Sequence, residues 1–348
     1  MTGSARSVQR LFGLAERVVD GALRAGAEVA EVSAGQSAHL TARVRLGKPE
    51  LLEEAASESI GLRVMRAGQM AVTSTSDLNE PGLDRFVRDA MELLDLAQPD
   101  PCAGPPDPLL LSGPECHADL DLFDPSVEGI DADRAAELAL SAESAALSYD
   151  RRLNNSEGST FVRTAGARVL VTSGGFRGSA RGTLVSLTVN PVADDEDGKK
   201  RNGYCWSARR HLCELDEARW IGEEAARRTL DKLGARKIGT RQAPVIFDPE
   251  AGRSILALLA GCVLGGAIWR RASFLVGREG ERVASDLVTV ADDPLIERGP
   301  GSRAFDGEGL LSRRNAVVEN GILKSYLLDT YSGRKLGRQS TGSAVRTS

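Results

Sequence analysis

Side chains that commonly bind zinc are few in this sequence, and they form one mixed cluster. The chain of 348 residues has three histidines and five cysteines. Cys205, His211 and Cys213 lie six and two residues apart along the chain. Structural zinc sites normally combine two pairs of closely spaced ligands, whereas this cluster offers one such pair. The spacing therefore favours three side chains with ordinary structural roles over a set of metal ligands, and both interpretations stay open at this point.

Motifs for nucleophilic or phosphate chemistry are absent from the sequence. Neither a Gly-x-Ser-x-Gly nucleophile elbow nor a Gly-x-x-x-x-Gly-Lys phosphate loop occurs. The acidic run 194–197 precedes Gly198 and suggests a calcium loop. With that glycine at position six, however, Ala193 and Tyr204 would stand where carboxylates are required. We therefore predict a solvated hairpin tip there, and the residues by themselves indicate no catalytic site.

Composition indicates a folded globular protein of two or three domains. Against a prior of roughly 150 residues per domain, 348 residues exceed a single unit. Hydrophobic residues make up 41% and charged residues 27%, which excludes an intrinsically disordered chain. The 44 basic and 49 acidic side chains give a net charge of −5. This balance argues against a dedicated nucleic-acid-binding protein, which usually carries an excess of basic residues.

The cysteines and the apolar runs predict a cytoplasmic location. An odd number of cysteines without a Cys-x-x-Cys pair is typical of a reducing compartment. The first twelve residues lack the apolar core and cleavage site of a signal peptide. The longest uncharged apolar run, 255–268, would span about 21 Å as a helix, too short for a bilayer core of roughly 30 Å. We expect it to form a buried helix of the C-terminal module.

Periodicity divides the chain into an N-terminal module (1–98), a Pro-rich linker (99–118), a central module (119–234) and a C-terminal module (241–348). In the N-terminal module, helical periodicity comes first, period-two strand patterns follow, and a second helix begins near Pro81. Six prolines between 99 and 114 exclude regular structure in the linker. This pattern predicts an α+β fold that begins with an α/β module.

The central module reads as an Ala-rich helix, an antiparallel meander with glycine turns and a closing helix. The C-terminal module reads as β-rich. It is predicted to begin with a strand at 244–247, to continue with the buried helix, and to contain a hairpin at Asn320-Gly321, because Asn-Gly between apolar runs is a strong hairpin signal.

Six short stretches resemble the TldD/PmbA family, and more specifically its PmbA (TldE) branch. The resemblance extends from about residue 15 to 345 and is carried by the stretches 74–78, 99–104, 243–247, 269–275, 305–309 and 331–342. It implies a TldD/PmbA-like fold and a link to metallopeptidase activity. Family members usually continue for roughly a hundred residues more, so the resemblance implies that the C-terminal module (241–348) is incomplete.

The resemblance also implies where a zinc motif would lie. The TldD branch carries His-Glu-x-x-x-His on a helix of its C-terminal module, with two histidines on zinc and the glutamate as base. The corresponding positions here are Ala257, Leu258 and Cys262. Two of them offer no donor atom, and Leu258 cannot act as a base. The resemblance therefore implies no catalytic residue and no cofactor in this chain, and zinc in a TldD-like partner.

The expected role is that of a partner subunit in a TldD/PmbA-type peptidase complex that cleaves unfolded peptides or small proteins. No nucleic acid and no membrane is expected as a partner. Two alternatives remain. The chain could hydrolyse peptides alone through an unrecognised site, or it could be a regulatory binding protein, because the family has been associated with control of DNA gyrase.

Overall fold

A seven-stranded antiparallel sheet forms the centre of the molecule. The computed structural model describes residues 3–111, 113 and 116–346. The strands of this sheet are β1 (Val29–Arg45), β2 (Lys48–Arg66), β3 (Gln69–Thr75), β4 (Leu153–Thr172), β5 (Arg177–Asp194), β6 (Lys200–Asn202) and β7 (Cys205–Arg209). Their order is β3-β2-β1-β4-β5-β6, and β7 also pairs with β5.

Two long hairpins build most of this sheet. β1 and β2 are joined at Leu46 and Gly47, whose φ angles of 50° and 74° reverse the chain within two residues. β4 and β5 form the second hairpin. The two hairpins are joined by β1 and β4, which place Glu31 opposite Thr172 at one end of the pairing. The predicted N-terminal and central modules therefore share one sheet, and their boundaries remain predictions.

Helices cover one face of the sheet. Those of the first two modules are α1 (Gly3–Arg24), α2 (Glu80–Leu96), α3 (Pro125–Glu128), α4 (Ala132–Ser148) and α5 (Ala218–Leu230). Side chains alternate between the faces of a strand, so the even-numbered residues of β1 point towards the helices. Val32 and Ala34 belong to the core beneath α1 and α2. Leu40 and Val44 belong to a second core beneath α4 and α5.

The C-terminal part lies on the opposite face of the sheet. It contains α6 (Pro249–Val263), α7 (Gly265–Trp269), β8 (Val290–Asp292), β9 (Asn315–Glu319), β10 (Ile322–Leu323) and α8 (Thr330–Lys335). Leu170 of β4 packs there against Phe305 and Phe176 in a small cluster of its own. The three short strands form a separate sheet in the order β10-β9-β8. The predicted Asn320-Gly321 hairpin is confirmed, since Ile322 pairs with Glu319.

The expectation of a buried helix at 255–268 is wrong for this structure. The run forms two helices, α6 and α7, and Val263 is the only buried residue of α6. Leu258 is 72% exposed, and Ile255 and Leu256 are also exposed. The third core lies beneath the C-terminal end of α6, around Val263 and Leu275. Burial needs a second layer, and among the described residues no element covers the outer face of α6.

The expected strand at 244–247 is wrong as well. The segment 235–248 has no regular secondary structure, and Val245, Ile246 and Phe247 are exposed. An apolar stretch of β-branched and aromatic residues predicts a strand. A strand forms only where a neighbouring strand supplies hydrogen bonds, and the described residues offer none to this segment.

The Pro-rich segment is held against the C-terminal part by hydrogen bonds from side chains of α8. The Asp100 carboxylate accepts hydrogen bonds from Tyr331 Oη at 2.8 Å and Lys335 Nζ at 3.0 Å. Arg334 donates to the Pro105 carbonyl at 2.5 Å. The described residues of the linker include a short 3-10 turn at Pro108–Leu110. Ser112, Pro114 and Glu115 lie outside the described residues.

The predicted mixed α and β architecture is confirmed, with a curled antiparallel sheet as its frame. The described residues contain no helix that combines the length and the apolar character needed to cross a bilayer.

Candidate functional site

The positions expected to correspond to the family's zinc motif, Ala257, Leu258 and Cys262, lie on α6. Ala257 and Leu258 are exposed, whereas Cys262 is half-buried and packs against the third core. A methyl group and an isobutyl group offer no lone pair, so Cys262 would be a single ligand. Zinc sites in proteins need three or four ligands from the chain. These residues do not fit a zinc ion.

The cluster of Cys205, His211 and Cys213 is not assembled as a metal site. Cys205 is buried on β7, and burial raises the pKa of its thiol. The His211 ring forms a hydrogen bond through Nε2 with the Asp121 carbonyl at 2.9 Å, and Cys213 is exposed. Across the described residues, no group of three or more His, Cys, Asp or Glu side chains is placed to hold a metal ion.

A large cleft lies between the sheet and the C-terminal part. Its volume is about 1080 Å³, and its walls include the segments 117–123 and 300–305 together with the middle of β1 and β4. Arg168 of β4, Arg210 after β7 and Arg303 of the C-terminal part all line it. We call it the arginine cleft.

Within the arginine cleft, Arg168 and two other arginines, Arg210 and Arg303, repel each other. Burial and the nearby Arg303 lower the pKa of Arg168, and burial and Arg168 lower the pKa of Arg210. Arg210 donates to the carbonyls of Thr183 at 3.0 Å and Pro300 at 2.6 Å. Among the described residues, no carboxylate lies within ion-pair distance of any of the three guanidinium groups. The cleft thus holds three arginines that form no ion pair with a described carboxylate of the chain.

A buried charge cluster joins the sheet to the C-terminal part. Arg63 lies 2.9 Å from the Glu31 carboxylate and 3.9 Å from that of Glu308. Glu308 is fully buried and also pairs with Arg346. Its carboxylate accepts the backbone N–H and the hydroxyl of Thr330 at 2.9 and 2.6 Å. Burial raises the pKa of Glu31, one oxygen of which has no hydrogen-bond partner in the structure.

The neighbouring Asp306 holds the C-terminal part by backbone contacts. Its carboxylate accepts the N–H groups of Glu308, Leu310 and Ala344 at 2.9, 3.0 and 3.0 Å. Asp306 and Glu308 belong to the Phe305–Gly309 stretch that carries part of the family resemblance. Their contacts assign both carboxylates a structural role, tying distant segments together.

Three family domain profiles match the chain. They are described as PmbA/TldA metallopeptidase domain 1 at residues 30–94, the central domain at 125–233 and the C-terminal domain at 240–348. The chain belongs to the PmbA/TldD metallopeptidase family. Metalloprotease PmbA of Escherichia coli O157:H7 is 35% identical over 315 residues, covering 90% of this chain and 69% of that protein.

Further comparisons place the chain in the PmbA branch of the family. The Metalloprotease PmbA homolog of Haemophilus influenzae is 35% identical over 326 residues, covering 94% of this chain and 71% of that protein. The Metalloprotease TldD homolog of the same organism is 29% identical over 231 residues and covers 64% of this chain and 48% of that protein.

Solved structures share the fold. A protein of Bacteroides thetaiotaomicron, described as a candidate modulator of DNA gyrase, superposes with a TM-score of 0.90 at 26% identity, covering 96% of this chain and 75% of that one. TldE of Thermococcus kodakarensis superposes with a TM-score of 0.79 at 18% identity, covering 96% of this chain and 74% of that one. The predicted TldD/PmbA-like fold is therefore confirmed.

The arginine cleft was missed from the sequence of this PmbA/TldD family member. Arg168 follows Thr164 and Gly166 at the period-two spacing of a strand face, so a charge on the face opposite the helices could have been found. The sequence around Arg168 contains no signal that it lies near Arg303, because the two residues are brought together by the packing of the C-terminal part on the sheet.

Proposed function

We propose that this chain is the metal-free subunit of a TldD/PmbA-type peptidase complex, with zinc held by a TldD-like partner. The observation that carries the proposal is the chemistry of Ala257, Leu258 and Cys262 in a member of a metallopeptidase family. The complex would act on unfolded peptides or small proteins in the cytoplasm. A zinc peptidase needs a metal-bound water and a general base, and the partner would supply both.

The contribution of this chain would then be substrate binding and shape. β3 is the terminal strand of the large sheet, and its Val72 is exposed. An unfolded peptide can add to a free sheet edge as a further strand, with main-chain hydrogen bonds giving affinity. The arginine cleft opens on the same side of the sheet as the C-terminal part, so a bound chain could also reach its walls.

The test compares the purified chain with a co-purified complex. We expect the chain alone to hold far less than one zinc per molecule by elemental analysis and to cleave no unfolded peptide. The complex with a TldD-like protein should cleave, and a chelator should stop it. One zinc per chain, together with chelator-sensitive cleavage by the chain alone, would overturn the proposal.

A matched pair of variants separates the two subunits. Replacing the motif glutamate of the partner by Gln should abolish cleavage by the complex. Leu258→Ala in this chain should leave the rate per assembled complex unchanged, because an exposed leucine has no group that transfers a proton.

A regulatory binding protein is the second candidate. It is favoured by the structural similarity to the protein of Bacteroides thetaiotaomicron described as a candidate modulator of DNA gyrase. Affinity capture separates the two proposals: retention of a TldD-like protein supports the complex, and retention of gyrase in its place supports regulation.

A further inference from the structure

We propose that the arginine cleft binds the carboxylates of an acidic, extended peptide. The choice of a peptide rests on the proposed function, whereas the preference for an anion rests on the cleft alone. Arg168, Arg210 and Arg303 come from three separate parts of the chain and converge on one cavity. Planar guanidinium groups bind carboxylates with paired hydrogen bonds.

The arginines of the cleft repel one another, and a bound anion would reduce this repulsion. Arg168 lines the cleft and lowers the pKa of Arg210, just as Arg303 lowers that of Arg168. The Nε atom of Arg303 is buried without a hydrogen-bond partner. Mutual repulsion and an unused donor are both costs that a bound carboxylate would remove.

The acidic side chains at the cleft are already engaged. Asp121 pairs with Arg298 at 2.5 Å, and the Asp119 carboxylate accepts the Asp121 backbone N–H at 3.2 Å. Arg346, at the end of the cleft, is paired with Glu308 and Asp329. The chain itself therefore supplies no carboxylate to the three central arginines, and a ligand must bring one.

Size and surface chemistry favour a peptide over a nucleic acid. A volume of about 1080 Å³ slightly exceeds the roughly 300–1,000 Å³ of small-molecule pockets, and it accommodates several residues in extended form. Base stacking would need free aromatic faces, but Arg181 covers the Phe123 ring at 3.5 Å and Phe305 packs against Phe176.

The test measures binding by the full chain with three fluorescein-labelled probes. They are an unstructured decapeptide with four glutamates among glycine and serine, the same peptide with glutamines, and a single-stranded oligonucleotide of equal charge. Fluorescence anisotropy should give at least about tenfold tighter binding for the glutamate peptide than for the glutamine peptide, since a charge-assisted hydrogen bond accounts for about that factor. Added salt should weaken the binding.

Arg168→Gln is the decisive variant because its side chain has no partner that folding requires. It should weaken binding of the glutamate peptide about tenfold and, by removing repulsion of Arg210 and Arg303, raise the melting temperature of the free protein. Arg168→Lys should keep part of the affinity. Arg219→Gln is the matched control, since Arg219 lies on α5, outside the cleft, and is paired with Glu223 at 2.7 Å; it should change nothing.

Three results would overturn the inference: equal binding of the two peptides, tighter binding of the oligonucleotide, or unchanged affinity of Arg168→Gln. The assay needs neither partner nor zinc. If acidic peptides bind but no TldD-like protein does, the proposed complex fails and the cleft assignment stands. If the complex forms and cleaves while Arg168→Gln has no effect, the cleft assignment alone fails.

Discussion

At the scale of single residues, Asp306 carries a pH dependence that can be derived from its surroundings. The side chain is 2% exposed, and burial raises its pKa to about 6 even though three backbone N–H groups act to lower it. The nearby Glu308 charge raises it further. Because the folded pKa exceeds that of the unfolded chain, about 3.9, this group contributes its full stability below about pH 4. That contribution is lost as the pH rises through 6.

Asp306→Asn should remove this pH dependence. The wild-type chain should lose roughly 2 kcal/mol of unfolding free energy from this group between pH 4 and pH 7, since one pKa unit corresponds to about 1.4 kcal/mol and the unfolded carboxyl is already half ionised at pH 4. The variant should be less stable overall, because an amide nitrogen would face one of the backbone donors, yet its stability should lack this decline. Urea unfolding at pH 4, 5, 6 and 7 gives the difference between the two proteins. A difference that stays constant with pH would contradict the assignment.

At the scale of elements, the patterns that are complete within one segment were predictable. The first helix and the helix near Pro81 follow from apolar residues at three- and four-residue steps, and the Asn320-Gly321 hairpin follows from its turn residues. The length of β1 was not predictable in this way. Its period-two pattern is clear at 40–46, but the strand extends from Val29 because β2 pairs with it from Val29 onwards and β4, more than a hundred residues away, pairs with it from Glu31.

The exposure of α6 could not be predicted from its sequence. An all-apolar run contains no polar face that would show which side meets solvent, so the pattern predicts a helix but cannot tell how much of it is covered. In the same way, the three arginines of the cleft are assembled by tertiary packing. The sequence therefore predicted secondary structure near these sites, but neither the exposed face of α6 nor the arginine cleft.

The exposed and the buried leucines of this region should respond very differently to charge. Leu258 is 72% exposed, whereas Leu275 is fully buried in the third core. Leu258→Lys should change the unfolding free energy by no more than about 0.5 kcal/mol, as is usual for surface positions. Leu275→Lys should cost about 3 kcal/mol or more, because it buries an unpaired charge. Urea unfolding of both variants, at a concentration where the chain is monomeric, is the measurement, and a large loss for Leu258→Lys would show that another part of the same chain covers α6.

At the scale of the whole molecule, the exposed apolar side chains are unevenly distributed. Ile246 is 96% exposed in the segment before α6, and Leu256 and Leu258 are 52% and 72% exposed on the helix itself. Exposed apolar side chains that are close along the chain favour a surface that contacts another protein. The surface lies in the part of the chain matched by the C-terminal domain profile of the family, and on the proposed function a partner subunit would cover it.

This surface predicts how the chain behaves alone and with a partner. We expect the purified chain to self-associate at micromolar concentration by multi-angle light scattering, because exposed apolar area gains about 25 cal/mol for each Å² removed from water. Co-expression with a TldD-like protein should convert it into a heterodimer, since permanent interfaces of that kind bury 2,000 Å² or more in total. The double variant Ile246→Ser, Leu258→Ser should reduce self-association, whereas Leu96→Ser, at a 79% exposed position on α2, should not.

A monomer that remains unchanged beside the partner would contradict the complex and favour the regulatory function. If the double variant self-associates as strongly as the wild type, α6 and the preceding segment are not the contact surface, and the interface must lie elsewhere on the molecule.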